Sequence, residues 1–307
     1  MTGYPAVSQP IPFDLSGYPG RLAVVCHDAG AANLILAWLQ SAPHVHAHYY
    51  VQGPAQRIKD SLQIPGANAP SLMQAIANAE AVLSGTGWQT DLEHSARMLA
   101  REQGKLSIAV IDHWVNYRER FVQSGQSVWP DEFWVTDQDA YSQASICFPG
   151  QHIVLKPNLY LQQQLRQIKS RETSFAKSDV LYVLEPTRSN WGNIQPGEFQ
   201  ALDFFMKHRG RVGIPEHTRI RLRPHPSEAP GKYDGWISMN KQANVVLDQS
   251  MSLVDAMASA HWVVGCETYA MVLAMESGRM VVSTLPPWAP PCRLPHRQII
   301  KLNQLLS

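Results

Sequence analysis

Short, almost wholly apolar runs recur along the chain and alternate with longer stretches whose apolar positions return every three or four residues. A run that is apolar along its whole length suits a strand covered on both faces, and the longer period suits a helix with one face covered. The first series of strands is expected in RLAVVCHD, HAHYYVQ, AEAVLSGTG, LSIAVIDHW, DEFWVTD and HIVLKPN. Between them GAANLILAWLQ, AQRIKDSL, SLMQAIANA and TDLEHSARMLAREQG read as helices. In the last of these Leu92, Ala96, Leu99 and Ala100 share one face. A polar stretch, LYLQQQLRQIKSRETSFAKS, then demands little burial and reads as a linker. A second series follows, with strands in DVLYVLEPT, TRIRLRPHP, NVVLDQS, HWVVGCET and RMVVSTLPP. Its helices are FQALDFFMKHRG, SLVDAMASA and YAMVLAMESG.

Strands and helices in alternation imply parallel sheets with helices on both faces. The fold class expected is therefore α/β, with two Rossmann-like doubly wound domains facing a cleft. The boundaries expected are a Pro-rich leader (residues 1–20), a first domain (21–158), the linker (159–178) and a second domain (179–307). Composition agrees with a folded chain: of 307 residues, 45% are hydrophobic and 17% charged. The formal net charge of +1 gives no overall attraction for nucleic acid, so an anion must be held by local groups. The four cysteines are far apart and form no CxxC pair, as reduced thiols of a cytoplasmic protein would be. No run approaches the ~18 apolar residues of a membrane span.

In open α/β sheets, ligands bind beyond the carboxyl ends of the strands, so the residues just after each strand carry the candidate chemistry. His27 and Asp28 end the first strand, and Gly30 in the following helix start would let a ligand come close. SGTG closes another strand; beyond it Thr90 and Glu93 have capping-box spacing, which gives Glu93 a structural role. Asp112 and His113 end a further strand and lead into Trp114, Asn116 and Arg118, side chains suited to sugar rings, hydroxyls and carboxylates. Asp137 and Asp139 form a DxD triplet, but Asp at a helix start is an ordinary N-terminal signal, and no metal site is expected.

In the second half, RPHPSE holds His225 between two prolines where a strand leaves its sheet. Each proline fixes its own φ, so the imidazole is preorganised, and Arg223 brings charge to the same place. Glu267 and Thr268 follow the strand HWVVGC, and Ser252 starts a helix as an N-cap or a phosphate donor. Glu185 and Arg188, in LEPTRSNW, are further donor-side candidates.

A His-Pro strand end, a Ser-rich helix start and then VVGCET before a helix ending in glycine resemble the nucleotide-binding domain of GT-B glycosyltransferases. The pattern is similar to the bacterial enzymes that use CMP-sugars, the sialyl- and Kdo-transferase types of capsule and lipopolysaccharide assembly. It covers residues 180 to 285. The resemblance implies that His225 contacts the donor phosphate and assists departure of the nucleotide. It likewise places ribose and phosphate contacts on Glu267, Thr268 and Ser252, and by the same likeness of fold the Pro-rich segment before CRLPHRQIIKLNQLLS is expected to carry a last helix back across the cleft. Many GT-B chains carry a glutamate five residues before the terminal glycine of that helix; here the position is Leu273.

The expected activity is metal-independent glycosyl transfer from a nucleotide-sugar, CMP-sugar favoured, to a cell-surface glycan or lipid-linked acceptor. Such an acceptor would allow peripheral membrane contact. No cofactor is expected. The base is expected to be Asp28 or Asp112, with His27, His113, Trp114, Asn116 and Arg118 on the acceptor. The rival is a nucleotide-sugar 2-epimerase or hydrolase on the same two-domain fold, which needs no acceptor.

Overall fold

The computed structural model describes residues 15, 17–171, 179–187 and 189–306. The chain divides into two compact units, residues 1–160 and 161–307.

The first unit is built on a six-stranded sheet of order β2-β1-β3-β4-β7-β8, every neighbouring pair parallel. Its strands are β1 (Arg21–Cys26), β2 (His46–Val51), β3 (Ala81–Ser84), β4 (Leu106–Val110), β7 (Glu132–Val135) and β8 (His152–Leu155). A two-residue hairpin, β5 (Val122–Gln123) and β6 (Gln126–Ser127), is set into the β4–β7 connection. The helices are α1 (Ala29–Ser41), α2 (Gly53–Ser61), α3 (Leu72–Ala77), α4 (Leu92–Glu102) and α5 (Gln138–Cys147). Leu22 to Cys26 are at most 1% exposed, which is why β1 reads as a continuous apolar run rather than an alternation. Trp38 on α1 meets Trp134 on β7 edge to face, and its indole N–H donates to the Pro157 carbonyl (2.8 Å), so the polar end of a buried ring is satisfied.

Helix α6 (Leu159–Arg171) occupies much of the expected linker. Leu159 and Tyr160 pack on the first core, Ile168 is buried, and Arg171 pairs with Asp255 (2.8 Å). Residues 172–178 lie outside the described residues, as does nearly all of the expected leader.

The second unit has a six-stranded parallel sheet of order β11-β10-β9-β12-β13-β14. The strands are β9 (Asp179–Val183), β10 (Ile220–Arg223), β11 (Val245–Leu247), β12 (Ala260–Gly265), β13 (Met280–Ser283) and β14 (Ile300–Lys301). The helices are α7 (Gly197–His208), α8 (Asp234–Met239), α9 (Leu253–Ala258) and α10 (Tyr269–Glu276). The closing segment differs from expectation. Residues 286–298 run without a regular element, then β14 pairs with β13 and a short 3-10 turn, Leu302–Leu306, follows. Leu302 is fully buried in the second core, and that burial draws the chain end into its own sheet instead of letting it extend as a helix.

Candidate functional site

In each sheet the first strand has neighbours on both sides from opposite winding directions, and the connections there diverge to leave a crevice. In the first sheet that switch point lies between β1 and β3, and in the second between β9 and β12. Both crevices collect titratable side chains.

At the first crevice the His27 Nδ1 and an Asp28 carboxylate oxygen are 2.9 Å apart, and the Asp28 side chain stays 28% exposed. Asp112, after β4, pairs with Arg120 (2.8 Å), which also donates to the Thr86 hydroxyl (3.1 Å). These groups are close because small residues line the loops. A Cβ on Gly30 would fall 1.7 Å from an Asp112 oxygen, and one on Gly87 would fall 2.4 Å from an Asp28 oxygen. So the SGTG loop packs directly against Asp28.

Glu93 departs from its expected role. Thr90 only reaches the Leu92 amide, at 3.5 Å, while Glu93 accepts from the backbone amide of His27 (2.7 Å). Glu93 is 0% exposed, its second oxygen has no hydrogen-bond partner among the described residues, and burial raises its pKa, with Asp28 adding to the effect. It therefore braces the His27–Asp28 turn from beneath.

The remaining acceptor-side candidates are engaged with their own fold. The Trp114 indole donates to Asp137 (2.8 Å), and His113 packs edge-on to Trp114. Asp137 itself caps α5 by accepting from the Ala140 amide (2.7 Å), so the first carboxylate of the DxD triplet is an N-cap. Arg118 donates to the Cys147 carbonyl at the end of α5 (2.9 Å), and Asn116 takes a left-handed φ of 58° in the turn between them. An aromatic not singled out from sequence, Trp88, is 39% exposed with the Arg120 guanidinium 5.7 Å from its ring centroid.

At the second crevice the Glu267 amide donates to Glu185 (2.6 Å), and the Glu267 carboxylate takes Arg293 in a fork that includes the Arg293 backbone amide (3.0 Å). Burial pushes the Glu185 carboxyl up to about 7, with the charge of Glu267 adding to the shift and the Glu267 amide opposing it. Thr268 sits at the N-cap of α10 without a side-chain cap bond. Arg188 lies outside the described residues.

Next to it, after β10, the RPHPSE turn is closed on itself. Glu228 accepts from the His225 amide (2.9 Å) and from the Tyr233 hydroxyl (2.6 Å), and Lys232 joins Glu228 to Glu198 on α7. The Ser227 amide donates to His225 Nδ1 (3.2 Å). The Ser227 hydroxyl lies 2.7 Å from the same nitrogen, and an Nδ1 that accepts places the ring proton of the exposed imidazole on Nε2. Arg223 is paired with Asp248, and Ser252 caps α9 by accepting from the Asp255 amide (3.2 Å). The structure thus groups Glu185 with Glu267, and His225 with Glu228, while Arg223 and Ser252 are tied to β11 and α9.

These two sheets define an α/β chain of two Rossmann-like units, the GT-B-like fold class. No family model and no curated protein matches the sequence. Among solved structures the chain is similar to the UDP-GlcNAc 2-epimerase from Methanocaldococcus jannaschii, with a TM-score of 0.57 at 8% identity, covering 86% of this chain and 83% of that one. It is similar as well to S. aureus MnaA in a structure with UDP, with a TM-score of 0.57 at 12% identity over 86% of this chain and 79% of that one. The wall teichoic acid polymerase TagF overlaps more loosely, with a TM-score of 0.47 at 13% identity over 86% and 70% of the two chains. Likeness at such identities is a likeness of fold.

Proposed function

We propose that the chain is a glycosyltransferase: the second unit binds a nucleotide-sugar and the first supplies the base that activates an acceptor hydroxyl. The observation that carries this reading is the different seating of the three carboxylates at the first crevice. Asp112 is paired with a permanent cation and Glu93 is sealed from solvent. Asp28 is the most exposed of the three, 28% against 18% for the Asp112 side chain, and is held by an imidazole instead of a guanidinium. Transfer to an acceptor needs one base, whereas inverting a carbon bearing hydrogen needs proton exchange on two faces.

In the proposed reaction the bond from the anomeric carbon to the donor phosphate oxygen breaks and a bond to the acceptor oxygen forms. The acceptor proton passes to Asp28. The phosphate leaves as an anion, stabilised by the His225 Nε2–H. Glu267 and Glu185, with Arg188, Thr268 and Ser252, are the donor-side residues of this reading. His27, His113, Trp114, Asn116 and Arg118 are its acceptor-side residues. The likeness of the second unit's motifs to CMP-sugar enzymes favours cytidine in the donor and a glycan or lipid-linked acceptor.

A second reading, a nucleotide-sugar 2-epimerase, is favoured by one observation: the fold is shared with two proteins whose structures bear that name or hold UDP. Nucleotide release from CMP-, UDP- and GDP-sugars, with and without a glycan acceptor, separates the two. Acceptor-dependent release, lost by a factor of about a hundred or more in Asp28→Asn, supports transfer. The same variant should bind nucleotide as tightly as the wild type in calorimetry, and His225→Ala should not. Full activity in Asp28→Asn removes Asp28 as the base, and change at the sugar C2 without acceptor makes the chain an epimerase.

A further inference from the structure

Away from both crevices, where β4 and β7 of the first sheet begin, the surface opens into a cavity of about 670 Å3. Two guanidiniums one turn apart on α4 line it, Arg97 and Arg101, together with Lys105, Ser107, Trp129 and Asp131. Arg97 is 1% exposed, yet among the described residues no carboxylate lies within ion-pair distance of it. It donates to carbonyls only, Val128 (3.1 Å), Gly85 (3.4 Å) and Arg120 (3.5 Å). Desolvation lowers its pKa to about 10, with Glu93 opposing the shift. The buried Glu93 one turn earlier on α4 opposes its charge without an ion pair, the Phe121 ring centroid lies 4.9 Å from the guanidinium, and two of its carbonyl contacts are long.

A second group in the cavity wall is also unmet. Ser107 is 4% exposed and its hydroxyl makes no hydrogen bond to any described residue. The other charged groups of the wall are Lys105 and the exposed Asp131. Lys105 is spent on the carbonyls of Ile76, Ala77 and Ala79, and Asp131 accepts from the Ser107 amide (2.7 Å). The wall thus offers the exposed guanidinium of Arg101, the buried one of Arg97 held by carbonyls alone, an unmet hydroxyl and the partly exposed Trp129, against the single carboxylate of Asp131.

We propose that this cavity binds an organic phosphate, its phosphate against Arg101, Arg97 and the Ser107 hydroxyl and its carbon skeleton against Trp129. Guanidinium forks match phosphate oxygens, and a cavity of this size has room for more than a bare anion. The site is separate from the strand-end crevices, so it stands whether or not the chain transfers sugars.

The test is calorimetric titration of the full chain with glucose 6-phosphate and, separately, with inorganic phosphate at millimolar concentration. Glucose 6-phosphate is expected to bind at least about tenfold more tightly than inorganic phosphate, and to lose about tenfold or more in Arg101→Glu and in Trp129→Ala. His225→Ala should leave it unchanged. Arg101 is exposed, so its variant should fold, and circular dichroism verifies both. Equal affinity for the two probes with no effect of Trp129→Ala overturns the organic ligand in favour of a bare anion. No binding of either, or a loss seen only in His225→Ala, overturns the site.

Discussion

Asp28 and Glu185 close the first strand of their respective sheets but are held in different states. Asp28 keeps part of its side chain in water beside His27, whereas Glu185 is drawn under the Glu267 amide and next to a second carboxylate. A carboxyl raised from 4.5 to about 7 binds a proton more tightly in the folded chain than in the unfolded one. Its contribution to stability is complete below about pH 4.5 and is lost as pH rises through 7. Each pKa unit corresponds to ~1.4 kcal/mol, so the loss is at most about 3 kcal/mol. Glu185→Gln keeps an acceptor for the Glu267 amide and cannot ionise. Thermal unfolding from pH 5 to pH 8 should therefore show the variant gaining on the wild type steadily between pH 5 and about 7, with little further gain above that. A constant difference across that range would mean that Glu185 is ionised throughout. Residues of this kind were only partly legible in the sequence. Asp28, Asp112 and Glu185 could be placed because each follows an apolar run. Glu93 was assigned to a cap three residues away, whereas its partner, the His27 amide, lies 66 residues off. Nothing in local spacing reports a contact of that range.

At the scale of elements, the strand pattern carried the sheets because their central strands are buried on two faces and read as nearly continuous apolar runs. The exception is β10, where Arg221 and Arg223 alternate with apolar residues and a solvated charge would be the ordinary inference. Instead Arg221 is 5% exposed and bridges Asp248 (2.7 Å), Asp179 (3.1 Å) and the Ala256 carbonyl (2.8 Å), so that β9, β10, β11 and α9 share one guanidinium. The Asp248 side chain is fully buried, and hydrogen bonds from Ser250 and Arg223 with the charge of Arg221 hold its pKa below the usual carboxylate value against the cost of burial. Removing one partner of a buried pair leaves the other charge uncompensated. Arg221→Met should cost on the order of 3 kcal/mol in denaturant unfolding, and adding Asp248→Asn should return part of it. A cost below about 1 kcal/mol would mean that Arg223 alone satisfies Asp248. The small elements escaped the sequence for the opposite reason. The β5–β6 hairpin and β14 are two residues each, too short for any period to register, and β14 exists because Leu302 anchors the chain beside it.

At the scale of the molecule, two sheets with one switch point each give two places where a ligand can sit beyond the strands, and the proposed chemistry divides between them. The division makes its own prediction for hydrogen exchange. A nucleotide alone should protect the loops that follow β9, β10 and β12, around residues 185–187, 224–228 and 266–269. It should leave the β1, β3 and β4 loops of the first unit at their free rates. In the second unit's loops the His225 amide donates to Glu228 and the Glu267 amide to Glu185, so these amides report occupancy directly. Under the proposed reaction an intact nucleotide-sugar should extend protection to residues 27–30, 85–88 and 112–120. His225→Ala should abolish both patterns, and Asp28→Asn neither. Protection by nucleotide that appears first in the β1 and β3 loops would reverse the assignment of the two units. It would make Asp28 part of a nucleotide site and require the acceptor base to be sought among Glu185 and Glu267.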